Sequence, residues 1–372
     1  MVKALAFYLP QYHPIPENDK WWGEGFTEWR SVSGAKPRFS GHYQPHIPAD
    51  LGFYDLRVAE TREKQADLAR EYGIDGFCYY HYWFDGKQLL ERPLQEVLKA
   101  NKPDFPFCMC WANENWTRAW DGLDREVLIA QNYTLEDSLA HIESLLPYFR
   151  DDRYIKVDGK PLFLVYRPDH IVNAAAYFEK WTEIARGAGL PGLYLCAVKN
   201  GFVESSDCEI MSCGYDAIVD FQPNRRDFPV ATTSSQFLVD LARKILPNSM
   251  FQYIKTNASA ANRIDYKALV KYVTRKSWPK DYRKYPVVFP SWDNTARRKT
   301  PTIIQNLDPA LYGEWLSYAV SSVSQYPESE RFVFINAWNE WAEGCHLEPD
   351  LKLGRGFLQA TKSVMRGSGN SV

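Results

Sequence analysis

Eight short apolar runs recur along this chain, and most of them break off into polar aromatic residues before a segment of helical period. The runs are residues 4–9, 76–80, 107–110, 162–166, 193–198, 217–221, 287–289 and 332–335. Runs this short, rich in β-branched and aromatic residues, read as buried strands rather than helices. Between them, residues 57–72, 135–149, 174–188 and 309–325 carry helical patterns, with Thr134 and Asp308 placed as N-caps. Alternation of short strands with helices makes βαβ units and a parallel sheet. Eight units predict an α/β fold, a closed (β/α)8 TIM barrel, which typically needs ~250 residues. The chain has 372 residues, and the excess falls in long insertions at 10–56, after strand 1, and 222–285, after strand 6. Without a linker or low-complexity stretch, residues 1–366 are expected to form one catalytic domain, and 367–372 a frayed tail.

In such a barrel the residues just past each strand share the face where chemistry collects. Around the first strand these are Tyr8, Gln11, Tyr12 and His13. The second is followed by His81, Tyr82 and Trp83, and the third by Trp111, Asn113, Glu114, Asn115 and Trp116. Next come Tyr166 and Arg167, Lys199 and Asn200, then Gln222 and Asn224. The seventh contributes Trp292, Asp293, Asn294 and Arg297, the eighth Trp338, Asn339, Glu340, Trp341 and Glu343. Trp22, Glu24 and Glu28 lie in the first insertion. Amides, phenols, indoles and carboxylates suit the recognition of sugar hydroxyls and the C–H faces of sugar rings. Each residue taken singly serves equally well as framework.

Glu340 and Glu343 form the sharpest pair. Cleaving a glycosidic bond takes one acid to protonate the leaving oxygen and a second as nucleophile or base. The carboxyl groups stand about 5–5.5 Å apart in retaining and about 6.5–9.5 Å apart in inverting enzymes, and a spacing of three residues allows either. The plainer reading makes one of the two an ion-pair partner of Arg297 or Arg355. His13, His81 and Glu28 are a formal metal-ligand set, but no HxH or HExxH spacing accompanies them, so no metal and no cofactor is expected.

Composition narrows the partners. The 44 Lys and Arg nearly balance 46 Asp and Glu, which removes the electrostatic case for nucleic acid or an anionic membrane surface. Aromatic residues make up 15% of the chain, which favours a glycan as partner. No run of about 18 apolar residues is present, so no membrane insertion is expected. The 7 cysteines lie largely in apolar runs and read as buried thiols. Together with an N-terminus unlike a signal peptide, they lead to the expectation of a cytoplasmic protein. Oligomeric state is not set by any of these features.

The segments FYLPQYHPIPENDKWWGEGFTEW, FPSWDNTARR and NAWNEWAEG resemble the WbsX-like family, proteins of bacterial polysaccharide clusters often described as glycosyltransferases. The resemblance covers nearly the whole chain. More distantly, the barrel and Glu340-Trp341-Ala342-Glu343-Gly344 resemble the family 99 glycoside hydrolases, the endo-α-mannosidases and endo-α-mannanases, which carry Glu-Trp-His-Glu-Gly there. That resemblance implies that Glu340 deprotonates the sugar 2-hydroxyl and that Glu343 acts as acid/base, with retention through a 1,2-anhydro sugar. Ala342 replaces the family's histidine, a departure that bears on substrate contacts.

Three readings follow. A retaining hydrolase of an α-mannoside-like or related bacterial glycan leads. A glycosyltransferase of O-antigen or capsule assembly is the alternative, though the chain has no Gly-rich phosphate loop. The third is a glycan-binding barrel without catalysis.

Overall fold

The computed structural model describes residues 1–118, 123–229 and 262–367. Eight parallel strands alternate with eight helices. The strands are β1 (Lys3–Tyr8), β2 (Gly76–Phe84), β3 (Phe107–Trp111), β4 (Lys160–Val165), β5 (Tyr194–Lys199), β6 (Ala217–Asp220), β7 (Arg283–Val288) and β8 (Phe332–Ile335). Each pairs in parallel with the next, and β8 pairs with β1 in register Lys3↔Phe332 through Ala6↔Ile335, which closes the barrel. The helices are α1 (Ala59–Glu71), α2 (Arg92–Ala100), α3 (Leu135–Arg150), α4 (Ala174–Gly187), α5 (Asp207–Ser212), α6 (Tyr266–Val273), α7 (Pro309–Val323) and α8 (Gly356–Gly367). The (β/α)8 barrel predicted from the alternation is therefore the fold.

The two expected caps are present. Thr134 accepts from the Asp137 amide at 3.1 Å and Asp308 from the Ala310 amide at 2.8 Å. Such a cap satisfies an orphan amide and is worth about 1 kcal/mol. The barrel is filled by rings from non-adjacent strands. Phe7 of β1 meets Phe221, just past β6, at 5.3 Å, and Tyr80 of β2 meets Tyr166, just past β4, at 6.2 Å. Cys78, Cys108, Cys110 and Cys196, on β2, β3 and β5, are buried free thiols.

The first insertion follows β1 as expected and carries short helices at Pro16–Trp22 and Glu28–Gly34. The second is narrower than expected. It contains the barrel's own α6, and β7 starts at Arg283 rather than at residue 287. Arg283 and Lys284 hide the start of β7 in the sequence, yet they pair with Glu330 and with Asp207 and Asp220. The rest of that insertion, 230–261, lies outside the described residues. So does 368–372 of the expected tail, whereas Gly367 ends α8. Three short antiparallel pairings were not legible in the sequence: Lys87–Leu89 against β2, Lys156–Val157 against β4, and Trp116–Arg118 against Leu123–Ile129.

Candidate active site

Past β8 the chain makes a small antiparallel ladder, Asn339–Glu340 against Cys345–His346, closed by a 3-10 turn at Trp341–Glu343. The turn exits through Gly344, with φ +56°. A Cβ there would stand 2.9 Å from the backbone nitrogen and oxygen of Asp293, so only glycine lets the two segments touch. The Asp293 amide donates to the Glu343 carbonyl at 2.7 Å, and Ser291 Oγ donates to the Gly344 carbonyl at 2.7 Å. Asp293 also caps the short helix Asn294–Ala296, which delivers Arg297. The loops after β7 and β8 are thus joined, and Arg297 faces the acids.

Three carboxylates surround that guanidinium. Nη2 lies 3.0 Å from Glu28 Oε2 and 3.1 Å from Glu340 Oε2, while Nη1 lies 3.1 Å from Glu343 Oε1. The ion pair between Arg297 and an acid is present, and it involves both glutamates of the pair. Arg355 instead pairs with Asp50. Glu28 is fully buried, Glu340 nearly so, and the Glu343 side chain is 25% exposed. Burial pushes the Glu340 carboxyl up to about 8; Arg297 opposes this, and the neighbouring Glu343 and Glu28 charges add to it. Burial also raises Glu28, against the pull of Arg297. Tyr12 closes the floor: its hydroxyl donates to the Asn339 carbonyl at 2.5 Å and accepts from the Trp341 amide at 3.2 Å. Glu340 and Arg297 are electrostatic neighbours of the buried Tyr82, and Glu340 is one of Tyr80. Chemically, the cluster sets two buried carboxyls of raised pKa and a third, more open acid around one fixed cation.

Other expected site residues lie near this cluster or at the rim of the barrel. Gln11 is buried and its carbonyl accepts from the Glu28 amide at 3.3 Å. Tyr166 is half-buried, with Glu114 and Glu343 as electrostatic neighbours. Glu114 pairs with Arg167 at 2.7 Å. Trp292 lines a cavity of about 290 Å³ beside Asp293. Trp22 is half-buried on the short helix Pro16–Trp22, its carbonyl held by Arg30 Nη1 at 2.8 Å.

Several expectations are corrected. Side chains alternate along a strand, and several of those expected at the site point to the helices. Tyr8 bonds Gln65 of α1 at 2.7 Å. His81 meets His141 of α3 at 2.8 Å, and Trp83 donates to Asp137 at 2.8 Å. Trp111 packs on His141 and on Trp181 of α4. Trp338 packs on Phe77. Trp341 donates to the buried Glu348 at 2.7 Å and stacks on His346 at 3.7 Å. Three further residues are framework by their bonding. Asn339 bonds both backbone groups of Leu9. Asn113 bonds the Arg167 amide and carbonyl. Asn294 accepts from the Thr302 amide. His13 is buried with Asp55 and Arg57 as its charged neighbours, and burial drops its pKa to about 4. His13, His81 and Glu28 therefore do not converge.

Sequence reasoning left out Tyr80, His42 and Glu348. His42 Nε2 sits 2.6 Å from Asp293 Oδ2. Burial of the Asp293 carboxyl is outweighed by bonds from His42 and Thr295, which hold it below its usual range. Burial lifts Glu348 to about 7 although Gln65, Trp341 and Tyr54 all donate to it. Only the parity of Tyr80 with Tyr82 on β2 was available as a signal.

The barrel superposes on solved structures of low sequence identity. The GH99 endo-α-mannosidase from Bacteroides thetaiotaomicron matches with TM-score 0.57 at 16% identity, covering 98% of this chain and 96% of that one. A structure described as a glycoside hydrolase-like protein matches with TM-score 0.57 at 13% identity, covering 98% and 94%. These likenesses establish the shared fold. Among curated proteins, the uncharacterized protein WxcX of Xanthomonas campestris pv. campestris is 43% identical over 363 residues. That match takes in 97% of this chain and 49% of WxcX, so the chain spans about half the length of its curated relative. Residues 4–361 fit the family model described as Glycosyltransferase WbsX, and the chain belongs to that family.

Proposed function

We propose that this protein is a retaining glycoside hydrolase of an α-mannoside-like or related bacterial polysaccharide or oligosaccharide. The observation that carries the reading is the set of three carboxylates around Arg297, with Glu340 buried and Glu343 open to solvent. The resemblance of residues 340–344 to the family 99 segment assigns the roles. Glu340 takes the proton of the sugar 2-hydroxyl as that oxygen attacks C1. Glu343 gives a proton to the leaving oxygen as the C1–O bond breaks. Glu343 then takes a proton from water, which opens the 1,2-anhydro ring at C1, and O2 recovers its proton from Glu340. Two inversions give retention. A raised pKa suits Glu340, because an ionised base of higher pKa is a stronger acceptor.

The family's description favours a second reading, transfer from an activated sugar in O-antigen or capsule assembly. Glu343→Gln separates catalysis from recognition. The variant is expected to bind an oligosaccharide substrate by calorimetry while its turnover falls by about 10²-fold or more. Turnover equal to wild type contradicts the assignment. A glycan-binding barrel without catalysis predicts binding in both proteins and product from neither.

A further inference from the structure

We propose that His46, His346 and Asp350 form a binding site for a divalent transition-metal ion of the zinc class. His46 Nδ1 and His346 Nε2 are 2.9 Å apart, and His346 Nε2 is 3.9 Å from Asp350 Oδ2. One donor atom from each residue lies within 4.8 Å of the other two, and all three residues are buried. Zinc binds imidazole nitrogen and carboxylate oxygen at about 2.0–2.2 Å, so tetrahedral donors stand roughly 3.3–3.5 Å apart. The observed spacings bracket that value. Two imidazoles and one carboxylate, with a fourth position open to water, are a recurrent zinc donor set.

The surroundings prepare each donor. His346 Nδ1 lies 2.8 Å from the Glu348 carbonyl, which can only accept, so Nδ1 carries the proton and Nε2 presents its lone pair. Metal-ligating histidines are oriented in this way. Asp350 Oδ1 accepts from the Lys352 and Leu353 amides at 2.8 and 2.6 Å, which leaves Oδ2 toward His346. Without an ion His46 Nδ1 donates to the His346 Nε2 lone pair, and binding of the ion shifts the His46 proton to Nε2. Tyr43 stacks on His46 at 4.6 Å and Trp341 on His346 at 3.7 Å, fixing both rings.

The backbone holds the donors in place before any ion arrives. The Ala49 amide donates to the Pro349 carbonyl at 2.9 Å, and the Leu351 amide to the Ile47 carbonyl at 3.0 Å. His46 also borders the 290 Å³ cavity that contains His42 and Asp293, which gives the fourth position room for water. The three acids at Arg297 do not compete, because a fixed cation already occupies them. An ion here clamps the loop after β1 to the ladder that carries Glu340. The sequence carried no sign of this site, since His46 and His346 lie 300 residues apart.

The test uses the whole chain, stripped with a chelator, dialysed and titrated with zinc ion by calorimetry, with metal content read by mass spectrometry. Wild type is expected to bind one equivalent and to unfold at a higher temperature with zinc than without. His46→Gln is expected to bind at least about 100-fold more weakly, with no thermal shift. Asp350→Asn keeps the Oδ1 acceptor and reads the same loss should His46→Gln fail to fold. Zinc binding that is equal in wild type and a folded variant overturns the site, as does a wild type that binds none.

Discussion

Arg297 Nη2 lies 3.1 Å from Glu340 Oε2, and the same guanidinium reaches Glu28 and Glu343. One cation thus balances three acids in a buried place, and Glu340 still has a carboxyl raised to about 8 by burial. The arrangement is costly to disturb, because a buried charge without its partner is penalised far more than the pair is rewarded.

Arg297→Met removes that cation and is expected to cost about 3–5 kcal/mol of stability near neutral pH. Its loss also raises the Glu28 and Glu340 carboxyls further. A carboxyl raised in the folded state penalises the fold increasingly as pH climbs from its unfolded value toward its folded one. The deficit is therefore expected to be large at about pH 8 and smaller at about pH 5. Denaturant unfolding of both proteins at the two pH values checks this. An equal deficit at both would place the role of Arg297 outside the acid cluster.

The base role requires Glu340 ionised. Because Glu343 must be protonated as well, kcat/KM is expected to follow a bell-shaped pH profile with one limb at an apparent pKa of about 8, a value belonging to the coupled cluster. A profile with no limb between about pH 6 and about pH 9 would contradict the assignment of base to Glu340.

Gly344→Ala forces a Cβ to within 2.9 Å of Asp293 and keeps a left-handed φ of +56°. A stability loss of more than about 1–2 kcal/mol is expected. Turnover should fall as well, because the contact sets Arg297 against the glutamates. Thermal unfolding and turnover measured on one preparation test both effects.

Trp83→Phe leaves Asp137 Oδ1 without its indole donor. Oδ1 keeps the Gly86 amide as donor, so the expected cost is about 0.5–1.5 kcal/mol of stability with KM unchanged. A raised KM in a stable variant would return Trp83 to the substrate site.

The fold was legible because its signal is local. Runs such as 332–335 are short, apolar and closely followed by polar residues, and eight of them suffice for a barrel. The acid pair was legible because Glu340 and Glu343 lie three residues apart on one turn. The direction of each strand-end side chain was read less well: gathering every polar residue after β2 put His81 and Trp83 with Tyr82, although alternation sends them to α3. Partnerships across the chain left no local trace. Arg297 meets Glu28 from a position 269 residues away, and His46 meets His346 from 300. No periodicity reports such pairs.

The central claim is hydrolysis by the two carboxylates. The most direct measurement incubates the protein with α-linked bacterial and mannan oligosaccharides, with and without sugar nucleotides, and reads products by mass spectrometry beside Glu343→Gln. Shortened glycans without any nucleotide, absent in the variant, are the predicted result. Lengthened glycans formed only with a sugar nucleotide would contradict the account and establish transfer.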